Sequence, residues 1–329
     1  MRLATPVMAA AIGVGTTLAV IDSITQAPAE SGRLGDDDIS SIRAEPGQGR
    51  SSQWTAERMR EAQPALLPVA DPEEVRVAFR HRRIGLAVPG VTAAGEPAQE
   101  IGRQSGNVHA YPLTMAGRLY YNEPDDKAGR GHICTAQFVA PSVVLTAAHC
   151  VQDHETHIYH RNFMFALEYE RGVSEHQYFW RCAATKKAWA QPGEGRYLFD
   201  YAMIQVESAS EVGWFGLEWN WIGKYRGATK IGYPSGSFNG EIIQVDAGPL
   251  SVTDGIVELK HGNKDVQHGS SGGGWVGDYT TNPRVNANHL ISSESFSRGE
   301  AGETSGISYG PYYTEALLSL LNYTEAGCR

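Results

Sequence analysis

Apolar residues fall along this chain in distinct textures, and each predicts a different kind of structure. From Leu3 to about Val20 they form one continuous run, rich in Ala, Gly and Val, behind the single basic residue Arg2. With small residues following around Ala27, Pro28 and Ala29, that pattern predicts a secretory signal peptide over residues 1–29. The competing reading is a retained membrane anchor, for which the run is close to the lower length limit and is weakened by Gly13, Gly15, Thr16 and Thr17. From residue 30 to about 105 the apolar positions thin out among Gly, Pro, Asp, Glu, Ser and Arg, as in Gly35-Asp36-Asp37-Asp38 and Pro46-Gly47-Gln48-Gly49. This segment is expected to be weakly structured: a propeptide between a signal peptide and a compact domain, or a plain linker. Within it, Gln53–Gln63 carries helix-favouring residues that stop before Pro64, and Val75–Phe79 has the texture of a strand.

From Tyr111 onward short apolar and β-branched runs are separated by Gly, Pro, Asn and Asp. Leu119–Tyr121, Thr135–Val139, Val143–Leu145, Ala202–Val206, Thr229–Tyr233, Ile242–Val245 and Ile256–Leu259 all read as strands. Many short strands at fairly regular spacing predict a sandwich or barrel rather than alternating strands and helices. The chain closes differently, with Leu317, Leu318, Leu320 and Leu321 at roughly helical spacing after Thr314 and Glu315, which predicts one C-terminal amphipathic helix over Tyr313–Tyr323. No repeat of fixed period appears.

Composition narrows this only in part. The chain has 329 residues, 41% hydrophobic and 20% charged, which is ordinary for a globular protein. A net charge of -9 without a Lys/Arg run gives no basic face for nucleic acid, and no second apolar run reaches spanning length, so no stable membrane association is expected. Four cysteines, Cys134, Cys150, Cys182 and Cys328, form an even set that suggests disulfides in an exported chain, with three pairings open. No C-x-x-C spacing supports a zinc or redox site. His154, His157 and His160 lie three apart, but a solvated loop explains them more simply than a metal site, and no metal or cofactor is expected.

The chemistry sits in three local patterns: Leu145-Thr146-Ala147-Ala148-His149-Cys150, then Phe199-Asp200-Tyr201-Ala202-Met203-Ile204, then Gly269-Ser270-Ser271-Gly272-Gly273. Acyl transfer by serine needs an imidazole to take the hydroxyl proton, a carboxylate to fix the imidazole, and backbone N–H groups aimed at the developing oxyanion. All three have candidates, with Gly269 and Ser271 as the N–H donors because the flanking glycines permit the required turn. Ser271 is preferred over Ser270 as nucleophile by the spacing Gly-x-Ser-Gly.

In their order, His then Asp then Ser, these motifs resemble the trypsin-like, chymotrypsin-fold serine protease superfamily over about residues 106–329. The resemblance implies an all-β fold of two six-stranded antiparallel β-barrels with a C-terminal helix, and a triad of His149, Asp200 and Ser271. It implies a Cys134–Cys150 disulfide beside the histidine, leaving Cys182 and Cys328 to pair by exclusion. Tyr111-Pro112, Gly117-Arg118-Leu119, Gly232-Tyr233-Pro234 and Asp265 look like the bacterial and fungal glutamyl-endopeptidase-like branch. In trypsin an Asp precedes the nucleophile and receives the new N-terminus; here that position is Ser270, so that activation switch is not expected, although Arg82-Arg83-Ile84-Gly85 looks like a basic cleavage site. Asp265 and His289 are the candidate substrate-binding residues, and they leave Glu/Asp-directed and Lys/Arg-directed cleavage both open. The expectation is thus a secreted zymogen, extracellular or periplasmic, acting on proteins or peptides. A non-catalytic binding protein on the same fold is the alternative.

Overall fold

The computed structural model describes residues 38–45, 54–70, 104–124, 126, 129–191, 195–298 and 304–329. The signal-peptide stretch, Val75–Phe79 and Arg82–Gly85 lie outside them. The chain divides into two units, residues 1–33 and Leu34–Arg329, and every element below belongs to the second.

The upstream residues supply β1 (Ile39–Arg43), α1 (Ala56–Glu61), β2 (Gln63–Pro64), β3 (Val69–Ala70) and β4 (Gln104–Ser105). The first sheet is then built from β5 (Ala116–Asn122), β6 (His132–Ala140), β7 (Val143–Thr146), β8 (Arg161–Leu167), β9 (His176–Lys186) and β10 (Ala202–Val206). The second uses β11 (Gly216–Leu217), β12 (Gly227–Gly232), β13 (Gln244–Thr253), β14 (Ile256–Lys260), β15 (Gly274–Val276), β16 (His289–Ser293) and β18 (Ile307–Pro311), while β17 (Ser297–Arg298) pairs with β3 in a separate two-stranded sheet and the chain ends in α2 (Glu315–Glu325).

In the first sheet the order β9-β10-β7-β6-β5-β8 returns to β9, so six antiparallel strands close into a barrel. The strand β9 is long enough to serve three neighbours, with β8 along His176–Phe179, β10 along Trp180–Thr185 and β1 along Cys182–Lys186. Its interior is aromatic: Phe138 meets Phe165 and Tyr178 edge-on at 5.3 and 5.0 Å, and Phe163 meets Trp180 at 5.1 Å. Edge-to-face rings are favoured by the ring quadrupoles, which pins rotamers as well as burying area.

The second sheet runs β16-β15-β12-β13-β14-β18. Just past β16, Ser295 N–H and Phe296 N–H both donate to the Tyr309 carbonyl on β18, at 3.0 and 3.3 Å, which brings the two ends of that path together. The fold is therefore mostly β and chymotrypsin-like, as the sequence motifs implied.

Helix α2 begins at Thr314, whose hydroxyl accepts from Ala316 N–H at 3.4 Å, and buries Leu317 and Leu320. Its C-terminal end is tied to β9 by the Cys182–Cys328 disulfide, and Cys134–Cys150 joins β6 to the residue after His149. Both pairings agree with the implied set. Among the described residues no helix is long and apolar enough to cross a membrane.

Of the segment 30–105, the described parts are regular. Ile39 is buried where β1 pairs antiparallel with β9. The predicted helix appears at Ala56–Glu61, capped by Thr55, whose hydroxyl accepts from Arg58 N–H at 3.3 Å. Trp54, just ahead of it, is buried against Tyr120 at 5.2 Å and donates from Nε1 to the Asn162 carbonyl at 2.8 Å. These residues fold because one tryptophan and alternating apolar positions find a barrel surface to complete, which composition alone does not reveal.

Candidate active site

The strand β7 runs into a short helical turn at Ala148–Cys150 that carries His149, and a second turn at Arg196–Phe199 delivers Asp200 just before β10. Pairing of β10 with β7, Ala202 opposite Thr146, brings the two turns side by side. Asp200 is fully buried, and its carboxylate accepts from three groups. His149 N–H donates to Oδ1 at 2.9 Å, His149 Nδ1 donates to Oδ2 at 2.8 Å, and Ser295 Oγ donates to Oδ2 at 2.5 Å. Buried carboxylates need such partners, since an unpaired charge in the interior is strongly unfavourable. The bond from Nδ1 fixes the imidazole tautomer and leaves Nε2 as the proton-accepting nitrogen.

Ser271 comes from the second sheet, in the turn before β15, and is pressed onto the first. Gly272 has φ +78°, and a Cβ there would lie 2.3 Å from Thr146 Oγ1 and 2.5 Å from Ala147 N, the residues leading to His149. Only glycine permits both the backbone angle and the approach. Strand β6 stitches the turn in place: Thr135 N–H donates to the Ser271 carbonyl at 2.8 Å, Thr135 Oγ1 to the Gly269 carbonyl at 3.0 Å, and Gln137 Nε2 to the Gly272 carbonyl at 3.1 Å. Gly274 N–H returns a bond to Gln137 Oε1 at 2.9 Å. Ser271 Oγ and His149 Nε2 are both buried, and neither has a hydrogen-bond partner.

Beneath this turn lies a polar network absent from the sequence reading. Lys230 on β12 is buried and donates from Nζ to Glu294 Oε2 at 2.7 Å, Gln267 Oε1 at 2.8 Å and Ser308 Oγ at 2.8 Å. Ser308 in turn donates to Glu294 Oε1 at 2.9 Å, and His261 Nε2 lies 3.0 Å from the same hydroxyl. Burial, then the nearby Lys230 charge, hold His261 down at about 2, so it is neutral. Glu294 also clasps the Ser271 turn through its backbone, accepting from Gly272 N–H at 2.8 Å and donating to the Gly273 carbonyl at 2.9 Å. The available signal was a lysine inside an apolar strand and a glutamate inside the run His289–Phe296.

The remaining predicted residues lie elsewhere. Asp265 is half-buried and accepts from Ser237 Oγ at 3.0 Å. His289 is held by Asp278, through its N–H at 2.7 Å and its Nδ1 at 2.7 Å. Ser270 is buried and donates to the Gln267 carbonyl at 2.5 Å. Of the histidine series, His160 is buried, stacked on Tyr121 at 4.6 Å and bonded through Nδ1 to the Cys150 carbonyl at 3.2 Å, while His157 is exposed just after a turn. Cys134, His149 and Cys150 offer atoms within 4.8 Å of one another, but both sulfurs are spent in the disulfide, so these residues do not fit a metal.

A mostly β, two-sheet fold with an imidazole–carboxylate pair beside a glycine-flanked serine defines the class: a serine endopeptidase, a hydrolase. The family model described as Trypsin matches residues 101–304, more than half of the chain, and the chain belongs to the trypsin family. Solved structures share the fold. The protease Anisep from Arthrobacter nicotinovorans is 22% identical, with a TM-score of 0.56 over 68% of this chain and 99% of that one. A thermostable serine protease, AL20, from an extremophilic microorganism is 21% identical, with a TM-score of 0.52 over 64% and 96%. A Glu endopeptidase solved with MPD is 17% identical, with a TM-score of 0.54 over 68% and 97%. No curated protein matches the chain.

Proposed function

We propose that this protein is a secreted endopeptidase that hydrolyses peptide bonds through an acyl-enzyme on Ser271. His149 accepts the Ser271 proton as Oγ attacks the carbonyl, then returns it to the leaving amine; a water repeats the sequence to release the acid. Asp200 holds the imidazole and balances the imidazolium, and the N–H groups of Gly269 and Ser271 receive the oxyanion. The observation that carries this reading is the buried Asp200 carboxylate taking His149 N–H, His149 Nδ1 and Ser295 Oγ together, an arrangement that fixes one tautomer beside the serine turn. Export through a signal peptide over 1–29, followed by removal of a propeptide within 30–105, is consistent with two disulfides, which persist in oxidising compartments.

For substrate choice, Asp265 and His289 remain the proposed substrate-binding pair, with Glu/Asp- or Lys/Arg-directed cleavage as the two outcomes. Their hydrogen bonds to Ser237 and Asp278 give neither charge an advantage.

The test is Ser271→Ala. Loss of fluorophosphonate labelling and a fall in kcat on the order of 10⁶ are expected, with the melting temperature unchanged. Cleavage surviving in Ser271→Ala sinks the assignment, and digestion of a denatured protein library by the active chain reads the preference directly.

A further inference from the structure

Ser271 is 0% exposed and the side chain of His149 only 8% exposed, so in this chain the site is covered. The upstream segment 63–70 lies against the residues that flank the site. It enters along the first barrel, where Gln63 N–H donates to the Gly131 carbonyl at 3.0 Å and Ala65 N–H to the Ile133 carbonyl at 2.9 Å, next to Cys134. It then crosses to the second sheet. The Ala65 carbonyl accepts from Gly269 N–H at 3.1 Å, Leu67 N–H donates to His268 Nδ1 at 3.1 Å, and the Pro68 carbonyl accepts from Ser297 N–H at 2.9 Å. Finally β3 pairs with β17, Val69 opposite Ser297, two residues from the Ser295 that bonds Asp200. Burial follows the strand: Ala65, Leu67 and Ala70 are buried, while Leu66 and Val69 are 73% and 56% exposed.

We propose that residues 63–70 are a built-in inhibitor of the cleft, an extended peptide bound across both sheets with its Ala65 carbonyl on the Gly269 N–H. The inference rests on the proposed roles of Ser271 and Gly269. Added strands of this kind take their affinity from main-chain bonds and their fit from alternate side chains, and this segment has both. Two features mark it as inhibitor rather than substrate. With the segment seated, Ser271 Oγ and His149 Nε2 are not hydrogen-bonded to each other, so the base does not engage the hydroxyl. Both pairings also run parallel, β2 with β6 and β3 with β17. A peptide of opposite polarity would pair antiparallel with the same edges, the more stable pattern, so it can displace the segment once the tether is cut. Until then Trp54 and α1 hold the segment's upstream end on the first barrel, which keeps its effective concentration high.

The same chemistry identifies the partner the cleft accepts in trans: a short extended apolar peptide with prolines where no N–H is used, as at Pro64 and Pro68. The experiment measures the rate of fluorophosphonate labelling of Ser271 in the full chain. Leu67→Asp, which charges a buried position of the segment, and Gln63→Pro, which removes the N–H bonded to Gly131, are each expected to label about ten- to a hundredfold faster than the unaltered chain. Leu66→Asp, at an exposed position, labels at the unaltered rate. Added peptide of sequence Gln-Pro-Ala-Leu-Leu-Pro-Val-Ala slows labelling of the Leu67→Asp chain, and the same peptide carrying Leu67→Asp does not. Equal rates in the unaltered, Leu67→Asp and Gln63→Pro chains, each with a cooperative melt, overturn the inhibitor and leave the site reading intact. No labelling in any chain, even after limited proteolysis removes the upstream segment, overturns the site reading and this inference with it.

Discussion

The two halves of the site are held by different physics. The first barrel supplies His149 and Asp200 from turns set on an aromatic interior, Phe138, Phe163, Phe165, Tyr178 and Trp180, with the Cys134–Cys150 bond across the histidine turn. The second sheet supplies Ser271 from a turn that rests on ions: Lys230 and Glu294, with Gln267, Ser308 and His261 around them, all buried. Apolar packing is non-directional and tolerant, whereas a buried ion pair requires every partner in place. A glycine-rich turn that carries a buried serine gains from directional support, and a histidine turn next to a disulfide has less need of it.

Asp200 is where the halves meet, since His149 reaches it from one side and Ser295 from the other. Breaking that junction should have the largest effect of the changes that test this comparison. Asp200→Asn is expected to lower kcat by about 10⁴, because the amide favours the wrong imidazole tautomer while geometry is kept. A peptide-cleavage assay reads it; a loss below tenfold would mean that His149 is positioned by its own barrel alone.

The ionic half should also respond more sharply than the aromatic half. Lys230→Met leaves Glu294 buried and unpaired, and is expected to cost about 3–5 kcal/mol in denaturant unfolding, with most of that recovered in the double variant Lys230→Met, Glu294→Leu. Phe138→Ala should cost a similar ~3–5 kcal/mol through its cavity. The two part company in labelling of Ser271: Lys230→Met slows it, because Glu294 grips Gly272 and Gly273, and Phe138→Ala does not. Equal labelling in both variants would remove the distinction between the halves.

The same contrast governs which features are legible in the amino-acid sequence alone. Strands β5, β6, β7, β10, β12 and β14 coincide with alternating or β-branched runs bounded by turn residues, and α2 with its leucine spacing. The strands β8 and β9 did not stand out, because Asn162–Leu167 and Tyr178–Thr185 lack clean alternation where three neighbours and two faces compete for β9. The histidine and serine motifs are contiguous, so local sequence carries them. Ser295, Thr135 and Gln137 are single polar residues whose partners lie 95, 134 and 135 positions away, and Lys230 reaches across 37, 64 and 78, so no window of sequence shows them as a set. The polar composition of the upstream segment predicts weak structure; in its described parts, such as Ile39–Arg43 and Ala56–Glu61, order comes from the surfaces they lie on.

Acid sharpens the comparison at the smallest scale, because each half buries one neutral histidine. Burial holds His160 in the first barrel at about 4, the Cys150 carbonyl and Asp153 opposing the shift and His132 and His149 adding to it. Burial and Lys230 hold His261 in the second at about 2. Both folded values lie below the ordinary 6.5, so the unfolded chain binds more protons in acid, and stability is lost as pH falls below about 6.5. For His160 the loss reaches about 2 kcal/mol at pH 5 and stops growing near pH 4, whereas for His261 it continues towards pH 2. His160→Phe keeps a ring against Tyr121 but has no proton to take. Its stability should therefore fall less steeply than the unaltered chain's between pH 6.5 and 4, by about 2 kcal/mol at pH 5, and in parallel with it below pH 4. Urea melts at a series of pH values read this slope. Coincident curves across the whole range would mean that the first barrel opens enough to hydrate His160, and that only the ionic half resists acid as a rigid body.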